Sequence, residues 1–418
     1  MNEWLAKLRK GYGKKLNFIH RWNAWMVAFL AFSGLILPWG FWREVLGEGR
    51  VWLKSLHIIV GLILLLPVLY YLFLAGKHWR QLKDRPRQRW NVIVVLTLLI
   101  GWLLSGVVLW QFRALGPAWS NPALTIHDAL TWVGLPYIIY HSVTRTKWLK
   151  EPHRRAVRTD RQTQTVKTEA SQTQPLYSRR SFIRSAIGVG LAVTMGPSFI
   201  KWLGSNLGSQ QNLESLIEKD ANQLLPAPTP LPQSLPPVGG GSEGQFRVYT
   251  VTPIPSFNNS NWSFSIDGLV NHKSTWNWEQ FVKLQRTVQV SDFHCVTGWS
   301  VYKNTWEGIP LRTLLEQAGV QAAATTVKFY SGDGEYTDSL TLEQAQMDDV
   351  LVAVMHDGKP IPSDLGGPVR LVVPKMYTYK SVKWLNRIEL IEGEHIGYWE
   401  QRGYDQDAWV SKDRTSES

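Results

Sequence analysis

A single cysteine is present among the 418 residues, so no disulfide can form within the chain. One cysteine is also too few for a Cys-rich zinc or iron–sulfur site. Acidic residues are the scarcer charged class, with 33 Asp and Glu against 45 Lys and Arg, and the net charge is +12. No internal repeat is visible along the chain. A disulfide-stapled scaffold is therefore excluded, and the excess of positive charge needs its own explanation.

Tryptophan and long apolar runs are abundant. The chain has 22 Trp, and many of them lie at the ends of apolar runs, as the aromatic belts of membrane proteins do. Each run approaches the length that crosses ~30 Å of hydrocarbon. The apolar runs are residues 22–42, 52–76, 91–112, 122–143 and about 182–203. This pattern excludes an ordinary cytosolic globule and a disordered tail protein, and it predicts a multi-pass protein of the lipid bilayer.

The loops between these runs differ in charge. Basic residues crowd the N-terminal segment, the loop at residues 77–89 and the segment at residues 145–161. Between the third and fourth runs, in contrast, Arg113 is the only cation. Cytoplasmic loops carry the excess of Lys and Arg, so we expect the N-terminus on the cytoplasmic side of a bacterial plasma (inner) membrane. The positive charge thus indicates topology, and no folded basic surface for nucleic acid is visible.

A twin-arginine pattern precedes the fifth run. The motif SRRSFI at residues 178–183 resembles the export signal of proteins that fold around a cofactor before they cross the membrane. Alternatively, the two arginines are the basic flank of an ordinary membrane helix. Both interpretations send the C-terminal part of the chain outside, and no small-residue cleavage site follows the run. We therefore expect a basic cytoplasmic linker at 151–180, a transmembrane anchor at 181–204 and a Pro- and Gly-rich linker at 205–245.

Residues 246–418 have the composition of a soluble domain with its own core. Runs rich in β-branched and aromatic residues predict strands, and two runs with apolar residues at helical spacing predict helices. The predicted strands are FRVYTV (246–251), WSFSIDGLV (262–270), TVKFYSG (326–332), DVLVAVM (349–355) and VRLVVP (369–374). The predicted helices are LRTLLEQAGV (311–320) and SLTLEQAQM (339–347). This mixture predicts a soluble α+β domain.

Four of the ten histidines lie within the apolar runs or at the start of one: His20, His57, His127 and His141. A polar ring at membrane depth is costly and has a partner as a rule, so each is a candidate functional residue. His127 and His141 are 14 residues apart, which is about 21 Å along a helix and close to the same face. We pair His57 with His127 near the outer surface and His20 with His141 near the inner surface, each pair holding one b-type haem iron. Alternatively, each histidine is a hydrogen-bonded packing residue.

The surroundings of these histidines resemble a known family. FIHRW (18–22), SLHIIVG (55–61) and the spacing of His127 and His141 are similar to the cytochrome b subunits of respiratory formate dehydrogenases and hydrogenases. The resemblance implies that residues 1–150 form an all-α four-helix bundle with two b-type haems. It also implies exchange of electrons with quinone near the inner haem, without identifying the residues of that site.

The lone Cys295 lies in the motif DFHCVTGWS (292–300). A thiolate is a soft metal ligand, and one thiolate suits a metal that another chelator already holds, such as a pterin dithiolene. A buried inert cysteine is the alternative. The motif resembles the molybdenum-binding loop of the sulfite-oxidase-like molybdopterin family, and further matches follow in order. These are WEGIPL (306–311), GGPVRLVVP (366–374), KSVKWL (380–385) and GYWE (397–400).

The resemblance implies a molybdopterin domain at 246–418 with molybdenum on Cys295 as the catalytic centre. It implies that Arg370, Lys380 and Lys383 contact the cofactor phosphate and the pterin carbonyl, although each could instead be a solvated surface charge. Members of the family often carry a polar residue five positions before this Arg, whereas this chain has Leu365. One contact to cofactor or substrate therefore differs from the family pattern.

Three further polar residues are weaker candidates for the pocket. His294, next to the metal ligand, either donates a hydrogen bond to the pterin or packs against its neighbours. Tyr336 and Ser339 follow the loop at residues 334–335, and Tyr336 is a candidate catalytic residue.

The two resemblances together predict a fused membrane enzyme. Quinol or quinone exchanges electrons with the inner haem, the outer haem relays them, and an outward-facing molybdenum transfers an oxygen atom to or from a small sulfur or nitrogen compound. We favour reduction of a sulfoxide or N-oxide, because the outer domain is similar to the methionine-sulfoxide reductases. The alternatives are a sulfite-type dehydrogenase that feeds quinone and, in a different class, a non-redox membrane sensor or binding protein. Formation of a homo-oligomer stays open.

Overall fold

The computed structural model describes residues 12–37, 42, 45–46, 49–144, 179–207 and 211–410. The first part of the basic N-terminal segment, nearly all of the predicted linker at 151–180 and residues 411–418 lie outside the described residues. Contacts divide the chain into two compact units. The first unit is Met1–Ala31, Val60–Leu104 and Ile126–Gly204, and the second is Phe32–Ile59, Ser105–Thr125 and Ser205–Ser418.

The N-terminal half is helical. Its described helices are α1 (Tyr12–Ile36), α2 (Gly49–Gln81), α3 (Pro86–Trp110), α4 (Phe112–Leu115), α5 (Pro117–Thr144) and α6 (Arg179–Leu207). Each predicted apolar run falls mainly on one of the long helices, and α2 continues beyond its run at both ends. Proline opens α3 and α5, where the missing N–H costs nothing because the first turn has no acceptor for it.

Three stretches of helix are both long and apolar enough to cross a membrane: Gly49–Gln81, Pro86–Trp110 and Ser181–Gly204. α1 and α5 have the length, with 25 and 28 residues, but they are not among these three stretches. Large apolar side chains cover the outward faces, with Trp25 78%, Leu66 66% and Val193 68% exposed. Large exposed apolar faces of this kind are typical of surfaces that contact a partner protein or the lipid of a bilayer.

Within the first unit, neighbouring helices pack through small apolar contacts. α1, α2 and α3 share a core of Met26, Leu64, Val68 and Leu99. α3 approaches α5 closely, because a Cβ on Gly101 would lie 2.6 Å from Leu130 Cδ1. The same two helices share a hydrogen bond in which the Tyr137 hydroxyl donates to Asn91 Oδ1 at 2.7 Å. Close approach at small residues with a few polar bonds is typical of helices that pack in membranes. The complete four-helix bundle stays a prediction.

Within the second unit, the described residues 211–410 contain two β-sheets and four short α-helices. The six-stranded sheet consists of β1 (Glu243–Gly244), β4 (Thr287–His294), β5 (Ser300–Pro310), β8 (Leu351–His356), β9 (Lys359–Pro360) and β10 (Arg370–Val372). The five-stranded sheet has the order β3 (Ser274–Trp276), β2 (Phe264–Gly268), β11 (Leu385–Ile391), β6 (Thr326–Ser331) and β7 (Thr337–Thr341). The helices are α7 (Gln211–Ile217), α8 (Trp278–Phe281), α9 (Leu311–Ala318) and α10 (Leu342–Ala345). The predicted α+β domain is confirmed.

Local sequence explains the elements that frame the site. β8 pairs with β5 on one side and β10 on the other, and all six of its residues are buried, which its continuous apolar sequence allows. α9 buries Leu311, Leu314, Leu315 and Ala318 along one face. Gly319 then adopts a φ of +66° and ends the helix.

Two local predictions were wrong in part. Residues 246–251 form no strand; Phe246 instead packs its ring against Phe293 and His356, at centroid distances of 5.9 and 5.3 Å. Its apolar pattern therefore reflects a loop that fills the core without joining a sheet. The run at 339–347 divides into the end of β7 and the four-residue α10, because Thr341 and Gln344 form a capping box at that point.

Candidate active site

The turn that carries Cys295 joins β4 to β5, which are antiparallel neighbours in the six-stranded sheet. Two backbone hydrogen bonds close it: Cys295 N–H donates to Trp299 O at 2.9 Å, and Gly298 N–H donates to Cys295 O at 3.0 Å. Gly298 has a φ of +89°, a conformation that favours glycine. Two paired strands and a closed turn thus fix the position of the cysteine.

The thiol of Cys295 lies at the junction of two apolar clusters. It is half-buried and makes no disulfide, and its Sγ lies 3.2 Å from Thr297 Oγ1. It contacts both the large cluster around Phe264 and Val352 and the smaller one around Phe293 and Trp306. A thiol that is shielded on one side and still reachable suits a metal ligand better than an inert core residue.

Tyr377 is a site residue that sequence reasoning missed. It is 3% exposed, and its buried hydroxyl has no hydrogen-bond partner among the described residues. Burial raises the pKa of Tyr377 to about 12; the Arg113 guanidinium opposes the rise, and the Cys295 thiolate adds to it. The phenol is therefore neutral at pH 7 and can donate a hydrogen bond to a ligand beside Cys295. Its place between the GGPVRLVVP and KSVKWL motifs was the available signal in the sequence.

Arg370 is a buried cation without a carboxylate partner among the described residues. It is 2% exposed, and its guanidinium donates to Leu365 O at 2.5 Å and to Ser381 O at 3.3 Å. It lies over the Phe293 ring at 4.7 Å. Burial lowers the pKa of Arg370 to about 9, so the group stays charged at pH 7. A charge held by neutral carbonyls and rings alone favours an anionic ligand, as predicted for the cofactor phosphate.

Lys380 has a different environment. Its ammonium donates to Asp338 Oδ1 at 2.8 Å, to Ser339 O at 3.2 Å and to Glu400 Oε1. All three donors thus have acceptors within the chain, and both carboxylates are buried. This geometry favours a structural ion-pair network, and the predicted contact of Lys380 with the cofactor stays a prediction.

The remaining predicted pocket residues are bonded within the domain. Lys383 donates to Tyr249 O at 2.6 Å, and Ser339 Oγ donates to His395 O at 2.8 Å. The Tyr336 hydroxyl lies 2.5 Å from Tyr379 O and 3.2 Å from Asp338 Oδ2. Burial raises the pKa of Tyr336 well above its ordinary value, with the Asp338 charge adding to the rise. Tyr336 therefore belongs to the Lys380 network, and its catalytic role stays a prediction.

His294 lies at the end of β4, directly before the cysteine. Its Nδ1 is 2.8 Å from Ser300 Oγ, and its ring packs edge-on against Tyr302 at 5.8 Å. Burial lowers the pKa of His294, with the Asp292 charge opposing the change, so the ring is neutral at pH 7. Packing is therefore observed, and donation to the pterin stays a prediction.

Two of the four membrane histidines have informative neighbours. His57 Nδ1 is 2.8 Å from Ser33 Oγ, and Ser33 is fully buried. A Cβ on Gly34 would lie 3.3 Å from His57 Cε1, so this glycine leaves room for the ring. A histidine oriented through Nδ1 presents Nε2, as metal-ligating histidines do. His141 stacks on Tyr137 at 6.3 Å.

The remaining two membrane histidines differ in burial: His20 is exposed and His127 is half-buried. No cluster of three or more His, Cys, Asp or Glu side chains suited to a metal occurs among the described residues. Haem and a pterin dithiolene supply most ligands of their own metal, so one or two protein ligands suffice for either cofactor. The haem assignments stay predictions.

The sequence matches the family described as "Oxidoreductase molybdopterin binding domain" over residues 251–399. It is 34% identical over 170 residues to the uncharacterized oxidoreductase YuiH of Bacillus subtilis, which covers 40% of this chain and 85% of that protein. It is 30% identical over 145 residues to YedZ1 of Azospira oryzae, provisionally named a protein-methionine-sulfoxide reductase subunit, covering 35% of this chain and 55% of that protein. It is 30% identical over 184 residues to the protein-methionine-sulfoxide reductase catalytic subunit MsrP of Gluconobacter oxydans, covering 40% of this chain and 57% of that protein.

The chain spans a little over half the length of the two sulfoxide-reductase subunits, but it spans most of YuiH. The family match includes the Cys295 turn, Arg370 and Tyr377. The chain therefore belongs to the oxidoreductase molybdopterin-binding family and is a molybdenum-dependent oxidoreductase.

Proposed function

We propose that this chain passes electrons from quinol through two b-type haems to molybdenum and reduces a small sulfoxide or N-oxide. The observation that carries the proposal is the grouping around Cys295. The half-buried Cys295 thiol lies in the turn that joins β4 to β5. It packs against the apolar cluster that contains Tyr377, whose hydroxyl has no hydrogen-bond partner among the described residues. The same domain holds the buried cation Arg370. One thiolate and a buried cation in the same domain suit a metal whose other ligands come from an anionic chelator.

The residues present fit molybdopterin. Cys295 would bind the metal, and Arg370 would hold an anionic group of the cofactor by charge-assisted hydrogen bonds. When bound, the molybdenum supplies a two-electron centre that takes up an oxygen atom. Tyr377, neutral at pH 7, would donate a hydrogen bond to the substrate oxygen and orient it. Reduction of a sulfoxide consumes two electrons and two protons and releases a sulfide and water, and oxidation of one quinol supplies both.

The electrons would travel through the histidine pairs. We assign the inner haem to His20 and His141 and the outer haem to His57 and His127. The hydrogen bond between His57 Nδ1 and the buried Ser33 Oγ supports a ligand role, because an oriented imidazole is the usual arrangement at a metal. Haems carry one electron at a time, so they would divide the two-electron oxidation of quinol into single steps.

The relatives support the substrate class and the fusion. One relative is named a catalytic subunit and another a subunit of protein-methionine-sulfoxide reductases, and a single chain is similar to both. These names favour reduction of a sulfoxide over oxidation of sulfite, and membership of an oxidoreductase family argues against a sensor without redox chemistry. We propose a bacterial plasma membrane location, with the N-terminus in the cytoplasm and the molybdopterin domain on the periplasmic face.

Metal content and haem spectra of the purified chain test this function. We expect about two b haems and one molybdenum per chain, and reoxidation of dithionite-reduced haem by methyl sulfoxides. Cys295→Ser should retain the haem spectrum, lose molybdenum and slow reoxidation by more than the ~10–100-fold that removal of an outer-shell partner costs.

Three results would contradict the proposal in different ways. Haem without molybdenum in a matured preparation would support only the electron-transfer part of the proposed function. Reduction of the haems by sulfite would show that electrons flow from the substrate to quinone, opposite to the proposed direction. Absence of both iron and molybdenum would show that the four histidines are packing residues.

A further inference from the structure

The Cys295 turn lies against the adjoining ends of two helices. Residues 105–125, which contain the end of α3, α4 and the start of α5, belong to the same compact unit as the molybdopterin domain. A Cβ on Gly298 would lie 2.7 Å from Leu109 Cδ2 and 3.5 Å from Leu124 Cβ. Leu124 also packs against the smaller apolar cluster of the domain. Glycine is therefore required at position 298 for two reasons: its backbone conformation and its contact with the helices.

A polar chain links α5 to the residue beside the metal ligand. Asn121 Nδ2 donates to the Tyr302 hydroxyl at 2.7 Å, and Ser300 Oγ donates to Asn121 Oδ1 at 3.2 Å. Ser300 has only one hydroxyl proton, so the contact between Ser300 and His294 must be donated by His294 Nδ1. Asn121 thus fixes the tautomer of the ring that precedes Cys295.

α4 reaches the other side of the pocket. The Phe112 ring meets the Tyr377 ring edge-on at 5.3 Å, and Arg113 forms an ion pair with Asp405. Tyr377 belongs to the large apolar cluster against which Cys295 packs, and its hydroxyl has no hydrogen-bond partner among the described residues. The helical segment therefore touches both sides of the candidate site.

α2 adds a third point of attachment. Lys54 Nζ donates to the Tyr404 hydroxyl at 2.8 Å. Lys54 precedes His57, a candidate haem ligand, by about one turn of the same helix, and Leu124 precedes His127 by the same interval on α5. Both candidate ligands of the outer haem thus follow directly on residues that contact the molybdopterin domain.

We propose that these contacts form a fixed electron-transfer face, through which electrons pass between haem and molybdenum without a separate carrier and without a shuttling movement of the domain. The face, here called the helix clamp, consists of Lys54, Leu109, Phe112, Arg113, Asn121 and Leu124. The proposal rests on the proposed function for the identity of the two redox centres. The contacts themselves do not depend on it. Electron transfer weakens steeply with distance, so a direct contact between the two carriers is the arrangement that favours it.

The lone cysteine allows the clamp to be tested without cofactors. Cys295 is the only thiol in the chain, so the rate of its alkylation by a maleimide in cofactor-free full-length protein reports how firmly the turn is held. Leu124→Asp places a carboxylate in an apolar contact and should raise the rate at least ~10-fold. Arg113→Glu should raise it about threefold, and the double variant Arg113→Glu/Asp405→Arg should restore it. Arg312→Glu, which breaks the exposed pair of Arg312 with Asp348, is the matched control.

The second measurement uses the loaded enzyme. The ratio of quinol-driven to dye-driven sulfoxide reduction should fall in Leu124→Asp and Arg113→Glu and recover in the charge-swapped pair, because a soluble dye reaches the molybdopterin domain directly. Unchanged alkylation rates together with an unchanged ratio would overturn the clamp in favour of a mobile domain on a linker. Faster alkylation of the variants, combined with a matured wild-type preparation that contains neither iron nor molybdenum, would instead retain the contact and reject the proposed function.

Discussion

The two compact units stabilise their buried polar groups in different ways. In the first unit, polar side chains between helices make single neutral bonds, such as the bond from Tyr137 to Asn91 at 2.7 Å. In the second, the domain buries ions, and Lys380 lies between Asp338 and Glu400 with all three less than 10% exposed. An ion in a helix surrounded by lipid costs more than a neutral bond, whereas a folded β domain supplies dipoles around it. The apolar helices of the first unit and the folded β domain of the second thus contain different kinds of polar interaction.

Removal of the central cation of the ion network is the strongest test of this difference between the two units. Lys380→Met would leave two buried carboxylates without their shared partner, and one oxygen of Glu400 already has no partner among the described residues. We expect a loss of about 3–5 kcal/mol of unfolding free energy, measured by denaturant or thermal unfolding of the detergent-solubilised chain. Lys283→Met removes an exposed pair with Glu279 and should cost less than ~0.5 kcal/mol. Equal effects of the two variants would contradict a buried network.

A neutral bond at a candidate haem ligand gives the second test. Ser33→Ala removes the 2.8 Å contact between Ser33 Oγ and His57 Nδ1 and leaves the ring less well oriented. We expect haem affinity to fall by ~10–100-fold, measured as haem retained per chain and as a shift of the reduced-minus-oxidised spectrum. Ser55→Ala, which loses only a bond to the Val51 carbonyl on the exposed side of α2, is the control. A full haem complement with an unaltered spectrum in Ser33→Ala would show that Ser33 does not contribute to haem binding.

The third test is a pH dependence of stability, in which the effect expected over one pH unit is at most ~1.4 kcal/mol. Burial raises the pKa of Asp338 from 3.8 to about 7; Lys380 opposes the rise and Glu400 adds to it. The folded protein therefore holds this proton more tightly than the unfolded chain, so the stability that Asp338 contributes is present below about pH 4 and is lost as the pH rises towards 7. The difference in unfolding free energy between the wild type and Asp338→Asn should shrink over that range, by at most ~1.4 kcal/mol per pH unit.

This difference isolates Asp338 from other titrating groups. Burial lowers the pKa of His356 to about 4, which gives a slope of the opposite sign, but His356 is present in both proteins and cancels. Melting temperatures at several pH values between 4 and 7 provide the measurement. If the difference in stability between the wild type and Asp338→Asn does not vary with pH, Asp338 is already ionised in the folded protein at pH 5.

Much of the architecture could be predicted from local patterns. Apolar runs located the long helices, because a helix in lipid must satisfy its own backbone and leaves a continuous signal in the sequence. The strands β2, β6, β8 and β10 were predicted from short apolar runs, and Cys295 from its motif. The α+β domain and the molybdenum-dependent activity are confirmed, while the haem relay stays a prediction.

The details that sequence reasoning missed depend on contacts between distant residues. Lys380 was predicted to bind the cofactor, but Asp338 and Glu400, which occupy its donors, lie 42 and 20 positions away along the chain. Tyr377 carried no motif of its own; only the folded domain leaves its hydroxyl without a partner. Ser33 likewise becomes relevant only because α1 and α2 bring it to His57, 24 positions later. Pairing of this kind has no local periodicity and cannot be read from composition.

The burial of Arg370 has a consequence for the order in which the enzyme is assembled. The guanidinium is enclosed by the rings of Phe293 and Trp306, at 4.7 and 5.6 Å, and only 2% of the residue is exposed. An anionic group that reaches it must enter before the core has closed, so insertion of the cofactor is coupled to the last step of folding. Delivery to the finished domain would require that domain to reopen. A chain that binds its cofactor before the core closes avoids that step.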